Sequence, residues 1–252
     1  MTGIYLSGTG NTKHCIEKLL SLLDKNAEAV PIEDEKAVHA LQSDDMIILA
    51  YPVQYSNIPY MVRDFIRKNG SLWKNKRVFC MATMGLFSGD GTGCAARELK
   101  KYGAEIVGGV HIIMPDCIGD CKLLKKTLEE NKRIVAAADE KLERTAREIK
   151  SGNYPKEGLS FPSHLAGLFG QRLWFYNKTT GYTDKLKISD DCVGCGLCES
   201  SCPMKNIKIQ NGKAAAGDKC TMCYRCISRC PKKAVTLIGD KVYEQCRFEN
   251  YV

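Results

Sequence analysis

Two blocks of cysteine stand out in this 252-residue chain. The first runs Cys192-Val193-Gly194-Cys195-Gly196-Leu197-Cys198-Glu199-Ser200-Ser201-Cys202-Pro203. The second runs Cys220-Thr221-Met222-Cys223-Tyr224-Arg225-Cys226-Ile227-Ser228-Arg229-Cys230-Pro231. Both read C-x2-C-x2-C-x3-C-P. Three thiolates at two-residue gaps let a tight loop wrap three corners of an iron–sulfur cube. The fourth, at the start of a helical turn, points away and reaches the other cube. The spacing therefore assigns Cys192, Cys195, Cys198 and Cys230 to one 4Fe–4S cluster, and Cys220, Cys223, Cys226 and Cys202 to a second. The proline after each block turns the chain away. Zinc sites use two C-x2-C pairs rather than three cysteines in a row plus Cys-Pro. Crossed ligation makes the two repeats one small unit with little apolar core, which should need its metal to fold.

A second constellation lies at the other end. Met1 to Leu6 read as a short apolar strand. Ser7-Gly8-Thr9-Gly10-Asn11-Thr12 follows, and then Cys15, Ile16, Leu19, Leu20, Leu22 and Leu23 recur at helical spacing. Strand, hydroxyl- and glycine-rich turn, then helix is a phosphate site. The hydroxyls of Ser7, Thr9 and Thr12, with free N–H groups at the helix start, can surround a dianion, and glycines let the backbone approach. The turn is neither a P-loop nor G-x-G-x-x-G. An ordinary helix N-cap is the plain alternative, and a solvated helix residue is the plain reading of Lys13.

The elements that would hold this turn alternate between strand and helix. Asp45–Tyr51 and Arg77–Met84 are apolar strands and Ile106–Met114 is a third. Helices are expected at about Tyr60–Lys68, Thr92–Tyr102 and, long and charged, Leu123–Lys150. Such alternation predicts a parallel sheet and an α/β fold, with ligands at the carboxyl ends of the strands. Loops 7–12, 52–59 and 84–91 meet there. Ser151-Gly152-Asn153-Tyr154-Pro155 ends the long helix. The stretch after it carries Phe161, Phe169, Trp174, Phe175, Tyr176 and Tyr182. A floppy linker would not carry these residues; packing between domains is favoured over a docking surface. Around the cysteines, 185–188, 207–209, 214–216 and 234–238 read as short strands, with a turn at 210–213.

Three regions follow: 1–150, a connecting segment 151–184, and 185–252. The six remaining cysteines (Cys15, Cys80, Cys94, Cys117, Cys121 and Cys246) read as plain thiols in a reducing compartment; Cys117 and Cys121, four apart, could pair or bind metal. The formal charge of +8 divides evenly between residues 1–185 and 186–252, so there is no concentrated basic domain for nucleic acid. Cofactors of roughly two negative charges each would offset most of it. No apolar run is long enough to span a bilayer, and the N-terminus lacks the regions of a signal peptide. A cytoplasmic chain with no membrane or nucleic-acid partner is expected.

The hexapeptide Ser7–Thr12 resembles the FMN-phosphate loop of flavodoxins, and the resemblance covers about residues 1–150. It implies a flavodoxin-like doubly wound parallel five-stranded sheet. It also implies FMN contacts from Pro52, Val53, Tyr55, Ser56, Asn57 and Ile58 in the second loop. From the third it implies Thr83, Met84, Gly85, Leu86, Phe87, Gly89, Asp90 and Gly91. Tyr55 or Phe87 would stack on the ring. Asp90 is the exceptional acid in these loops, and a turn or helix N-cap is its alternative role. Residues 184–240 resemble the bacterial two-cluster ferredoxins, which implies a small α+β domain. Together the two halves resemble flavodoxin–ferredoxin fusion proteins of anaerobic prokaryotes, whose members are assigned to electron transfer.

The implied cofactors are two 4Fe–4S clusters and FMN, and the implied function is a relay joining one-electron and two-electron steps. Partners would be redox proteins acting as donor or acceptor; a small-molecule oxidant and a homodimer stay open. The alternative is an FMN-dependent reductase of a quinone, nitro compound or unsaturated carbonyl. It needs a proton donor, and His14, His39, His111 and His164 all fall outside the three loops, leaving Tyr55, Ser56 or Ser88. A redox sensor would need an output module, and the sequence offers no segment that reads as one.

Overall fold

The computed structural model describes residues 1–175 and 181–252. Five parallel strands, β1 (Thr2–Tyr5), β2 (Ala29–Pro31), β3 (Met46–Pro52), β4 (Arg77–Met84) and β5 (Glu105–Ile113), form one sheet in the order β2-β1-β3-β4-β5. The helices are α1 (Asn11–Leu23), α2 (Lys36–Ser43), α3 (Tyr60–Lys68), α4 (Gly91–Lys100) and α5 (Leu128–Lys150). β3 reads as an unbroken apolar run because both of its faces are covered. Ile47, Leu49 and Tyr51 pack in the layer with Val62, Ile66, Trp73 and Leu99. Ile48 and Ala50 pack in the other, with Ile16, Leu19, Leu20, Val135 and Leu142. Each large aliphatic side chain removed from water contributes about 2 kcal/mol, so these two layers fix the strand ends that carry the loops. The strand order reverses between β1 and β3, which places the turns after these strands side by side.

Two elements escape the sequence pattern. β2 is three residues long, and α2 buries only Ala37, Ala40 and Leu41, too few apolar positions to show a helical period. The long helix also starts later than Leu123. Thr127 caps it: Glu130 N donates to Thr127 Oγ1 (3.2 Å) and Thr127 N donates to Glu130 Oε2 (2.7 Å). Such a box contributes about 1 kcal/mol and leaves 114–127 as an irregular strap after β5.

The connecting segment divides between packing and exposure. It forms α6 (Phe161–Gly167) and a wide turn, Leu168–Arg172. Arg172 is buried and Phe175 packs on Tyr55 (ring centroids 4.6 Å apart). Phe161, Phe169 and Trp174 stand exposed. Tyr176 lies outside the described residues. Beyond it come β6 (Lys187–Ile188), α7 (Leu197–Ser201), β7 (Ile207–Gln210), β8 (Lys213–Ala216), α8 (Arg225–Arg229) and β9 (Val235–Thr236). β6 pairs with β9 and β7 with β8, both antiparallel. The tail then returns to the second of the sheet's two layers, where Phe248 and Tyr251 pack beside α1 and α5.

Candidate functional site

The eight cysteines border two separate cavities. One cavity is lined by Cys192, Cys195, Cys198 and Cys230, with Ile209 and Val235. Another is lined by Cys202, Cys220, Cys223 and Cys226, with Leu186, Ile207 and Leu237. Cys202 and Cys230 follow α7 and α8 as their C-caps, so the helical turn precedes the fourth cysteine instead of starting at it. Backbone amides donate to both sets. Ala214 N and Ala234 N reach Cys192 Sγ and Cys230 Sγ, each at 3.3 Å. Asn206 N reaches Cys202 Sγ at 3.3 Å, and Met222 N reaches Cys220 Sγ at 3.4 Å. N–H donors to cluster sulfur raise the reduction potential by stabilising added charge. Among the described residues no three His, Cys, Asp or Glu side chains close on one ion-sized point. Four thiols around a cavity suit a multi-atom cluster better than a lone zinc ion.

The two repeats differ at two telling places. Gly194 and Gly196 of the first loop have φ of 65° and 78°. Their counterparts Met222 and Tyr224 hold the same left-handed backbone, at 53° and 61°, with side chains attached. That conformation costs about 1 kcal/mol for a residue with a Cβ. Tyr224 goes into the small core. Met222 goes to a third cavity.

This third cavity lies at the carboxyl ends of β1, β3 and β4. Ser7, Gly8, Thr9, Asn11, Thr12, Pro52, Val53, Thr83, Met84 and Gly85 line it, ten of the residues that the sequence assigns to FMN. Gly10 sits at the start of α1 with φ 100°, and no side chain caps that helix. Its first N–H groups are therefore available to a phosphate. Ser7 Oγ accepts from Gly10 N at 3.2 Å, and Thr12 Oγ1 bonds Thr83 Oγ1 at 2.8 Å. Asn11 Nδ2 donates to Pro115 O, while Asn11 Oδ1 is buried without a partner among the described residues. Among the described residues no lysine or arginine lines the cavity; Lys13 pairs with Glu17 at the surface. Hydroxyls, open N–H groups and an orphan acceptor are the donor set that a phosphate with a polyhydroxyl chain would satisfy, so the residues present fit FMN.

The rest of the two ring loops is employed elsewhere. Tyr55 and Ser56 form a tight left-handed turn, φ 50° and 58°, closed by Gln54 N to Asn57 O (3.0 Å) and the reverse bond (2.9 Å). Ser56 Oγ donates to Gln171 Oε1 (2.7 Å), and Arg172 Nη1 donates to Ser56 O (3.0 Å). Ile58 is in the core. Leu86 and Phe87 are largely exposed, and Gly89 packs against Gly167. Gly91 opens α4. Asp90 is fully buried and is held by Arg172, by His164 Nδ1 (2.9 Å) and by Arg97 Nη2 (2.7 Å). Burial alone would push its carboxyl up; hydrogen bonds from Arg172, His164 and Arg97 outweigh that and hold it below the usual range. The structure thus gives Tyr55, Ser56, Asn57, Ile58, Leu86, Phe87, Gly89, Asp90 and Gly91 no place in the cavity wall. Asp90 instead anchors the connecting segment, which no local pattern around it announces.

Other residues complete the wall: Gln54, Met114, Pro115, Asp116, Cys117, Ile118, Met222 and Cys223. Two of these belong to the second cysteine loop. Around them the phosphate turn is gripped throughout. Arg225 Nη2 donates to Ser7 O (2.8 Å) and pairs with Glu33 (2.7 Å). Gln54 Nε2 donates to Thr221 O (2.8 Å). Phe248 N donates to Thr9 O (2.8 Å), and its ring stacks on His14 at 4.1 Å. Asp120 Oδ2 accepts from Leu237 N (2.6 Å), Ile238 N (2.9 Å) and Gly239 N (3.1 Å), which ties the strap after β5 to the cysteine domain. Cys117 and Cys121 are free, as are the other scattered cysteines.

A doubly wound sheet with a hydroxyl- and glycine-rich turn after β1 is thus joined to two four-cysteine cavities. Residues 4–115 match the family model described as a flavodoxin domain, and residues 191–234 match that of a 4Fe-4S dicluster domain. The chain therefore carries a flavodoxin domain followed by a 4Fe–4S domain. Similar solved structures include the two-electron reduced flavodoxin of Megasphaera elsdenii, 27% identical over 49% of this chain and 95% of that one, TM-score 0.42. Another is a Fusobacterium nucleatum flavodoxin solved with flavin mononucleotide, 20% identical over 60% and 96%, TM-score 0.42. Flavodoxin 1 of Bacillus cereus is 18% identical over 60% and 96%, TM-score 0.43. No curated protein matches the chain. Among the described residues no helix is long and apolar enough to cross a membrane.

Proposed function

We propose that the chain is an internal electron relay in which two 4Fe–4S clusters exchange electrons with one FMN. The observation that carries this reading is the wall shared by Ser7, Gly8, Thr9, Asn11 and Thr12 with Met222 and Cys223. A ligand of the second cysteine set borders the cavity assigned to FMN. When bound, the clusters supply one-electron steps and FMN joins them to two-electron chemistry.

The residues divide the work. Ser7, Thr9, Thr12 and the start of α1 hold the phosphate. Thr83, Met84 and Gly85 border the ring. Cys202, Cys220, Cys223 and Cys226 hold the cluster nearer to it, and Cys192, Cys195, Cys198 and Cys230 hold the farther one. Cys195, Val193 and Leu197 are exposed, so an external redox protein meets the farther set first. Arg225, Gln54 and Asp120 keep the domains docked, so transfer needs no encounter step. The second reading, a reductase of small organic substrates, would need open room beside the ring and a proton donor; residues 116–118 and 222–223 line the same cavity as the loops assigned to FMN.

Protein purified without oxygen tests the assignment. About eight iron, eight sulfide and one FMN per chain are expected, with separate optical and EPR signals during a redox titration. A chain with no flavin, or with a single four-iron cluster, overturns it.

A further inference from the structure

The flavin loops 52–59 and 84–91 contain one acid, Asp90, and it is turned away. The cavity wall nevertheless contains a carboxylate, and among the described residues that line it only one: Asp116. It arrives on the strap after β5, which Asn11 Nδ2 fastens across the phosphate turn by a 2.7 Å bond to Pro115 O. Asp116 Oδ1 accepts from Ile118 N at 2.7 Å. Its Oδ2 lies against the third loop, since a Cβ built on Gly85 would fall 2.4 Å from it. One oxygen is thus engaged by backbone, and the other borders the loop assigned to the ring.

The geometry points to Asp116 as the group that takes up a proton, at Oδ2, when the flavin beside it is reduced. The inference rests on the cavity being the FMN site. Reduction by two electrons with one proton leaves extra negative charge on the ring. A neighbouring carboxylate is then disfavoured by like-charge repulsion and gains affinity for a proton. A second proton comes from solvent, an O–H bond forms at Oδ2, and nothing leaves. Burial already pushes this carboxyl above the ordinary aspartate range. The Ile118 amide, Lys125 and Lys126 oppose the rise, and Glu244 adds to it. Tyr55 and Cys117 also feel its charge. Lys125 is itself engaged, with Glu244 at 3.3 Å and Cys246 Sγ at 3.0 Å.

Asp116→Asn keeps an acceptor for Ile118 N and removes the proton site; Asp116→Glu restores an acid. The experiment follows the midpoint potential of bound FMN against pH, by flavin absorbance, in holoprotein of verified FMN content reduced with dithionite. In the wild type the slope should exceed that of Asp116→Asn by up to about one proton per two electrons over a window above the ordinary aspartate range. Asp116→Glu should recover the steeper slope. Equal slopes at every pH overturn the inference, including the case where Asp116→Asn merely binds FMN less tightly, as loss of a sugar-hydroxyl contact would cause. Dithionite reduces the flavin directly, so failure of the cluster relay leaves this readout intact. A chain without FMN overturns both readings.

Discussion

The carbonyl oxygen of Cys223 lies where a side chain on Gly8 would have to begin: a Cβ built on Gly8 would stand 1.7 Å from it. The glycine is explained by the cysteine loop pressed on the phosphate turn as much as by any phosphate. Gly10 is alike, with φ 100° and Phe248 Cβ only 2.8 Å from a built Cβ. The turn proposed to hold the phosphate is therefore also a domain interface.

Gly8→Ala should force the two apart. Overpacking of this kind costs about 1–3 kcal/mol. Thermal unfolding of the holoprotein should register that loss, and electron transfer from the clusters to FMN should slow. Unchanged transfer would mean that the Cys223 contact is incidental.

Cys202→Ser tests the crossed ligation. Cys202 lines a cavity with Cys220, Cys223 and Cys226 and not with its own repeat. The variant should lose about half its iron, and the signal that remains should be that of the Cys192, Cys195, Cys198 and Cys230 set. Loss of the other signal would reverse the assignment.

Met222→Gly should separate strain from function. Glycine relieves about 1 kcal/mol of left-handed backbone strain, so stability should hold or rise. The cavity wall loses a side chain, and FMN should bind about fivefold more weakly, equivalent to ~1 kcal/mol of lost apolar contact. Isothermal titration of the apoflavin form with FMN measures this.

Asp90→Asn should cost about 3 kcal/mol, because Arg172 is left buried beside a neutral partner. The folded-state pKa of Asp90 is depressed. Its contribution is therefore present above the ordinary value of 3.8 and lost only as pH falls through the lower folded value. Urea unfolding from about pH 6 to 8 should show a constant gap between wild type and variant.

Much of the architecture was legible in the residues. The β3 and β4 runs, the hexapeptide at Ser7 and the cysteine spacing each encode a local requirement, and the flavodoxin and 4Fe–4S domains follow from them. β2 and α2 were not legible, because three strand residues and three buried helix positions carry no period. The strap that brings Asp116 and Cys117 to the cavity has no motif, since its position is set by distant partners: Asn11 for Pro115, and the 237–239 backbone for Asp120. The role of Asp90 was hidden likewise, because its partners His164 and Arg172 come from the connecting segment. Met222 offered the one faint signal: a side chain where the first repeat has Gly194.

The central claim is that electrons pass within one chain between the clusters and FMN. Stopped-flow mixing of oxidised holoprotein with a one-electron reductant of the clusters, with flavin absorbance followed, tests it most directly. The relay predicts a flavin-reduction phase whose rate constant is independent of protein concentration and which slows in Gly8→Ala. A rate proportional to protein concentration, or flavin that stays oxidised while the clusters are reduced, would contradict it.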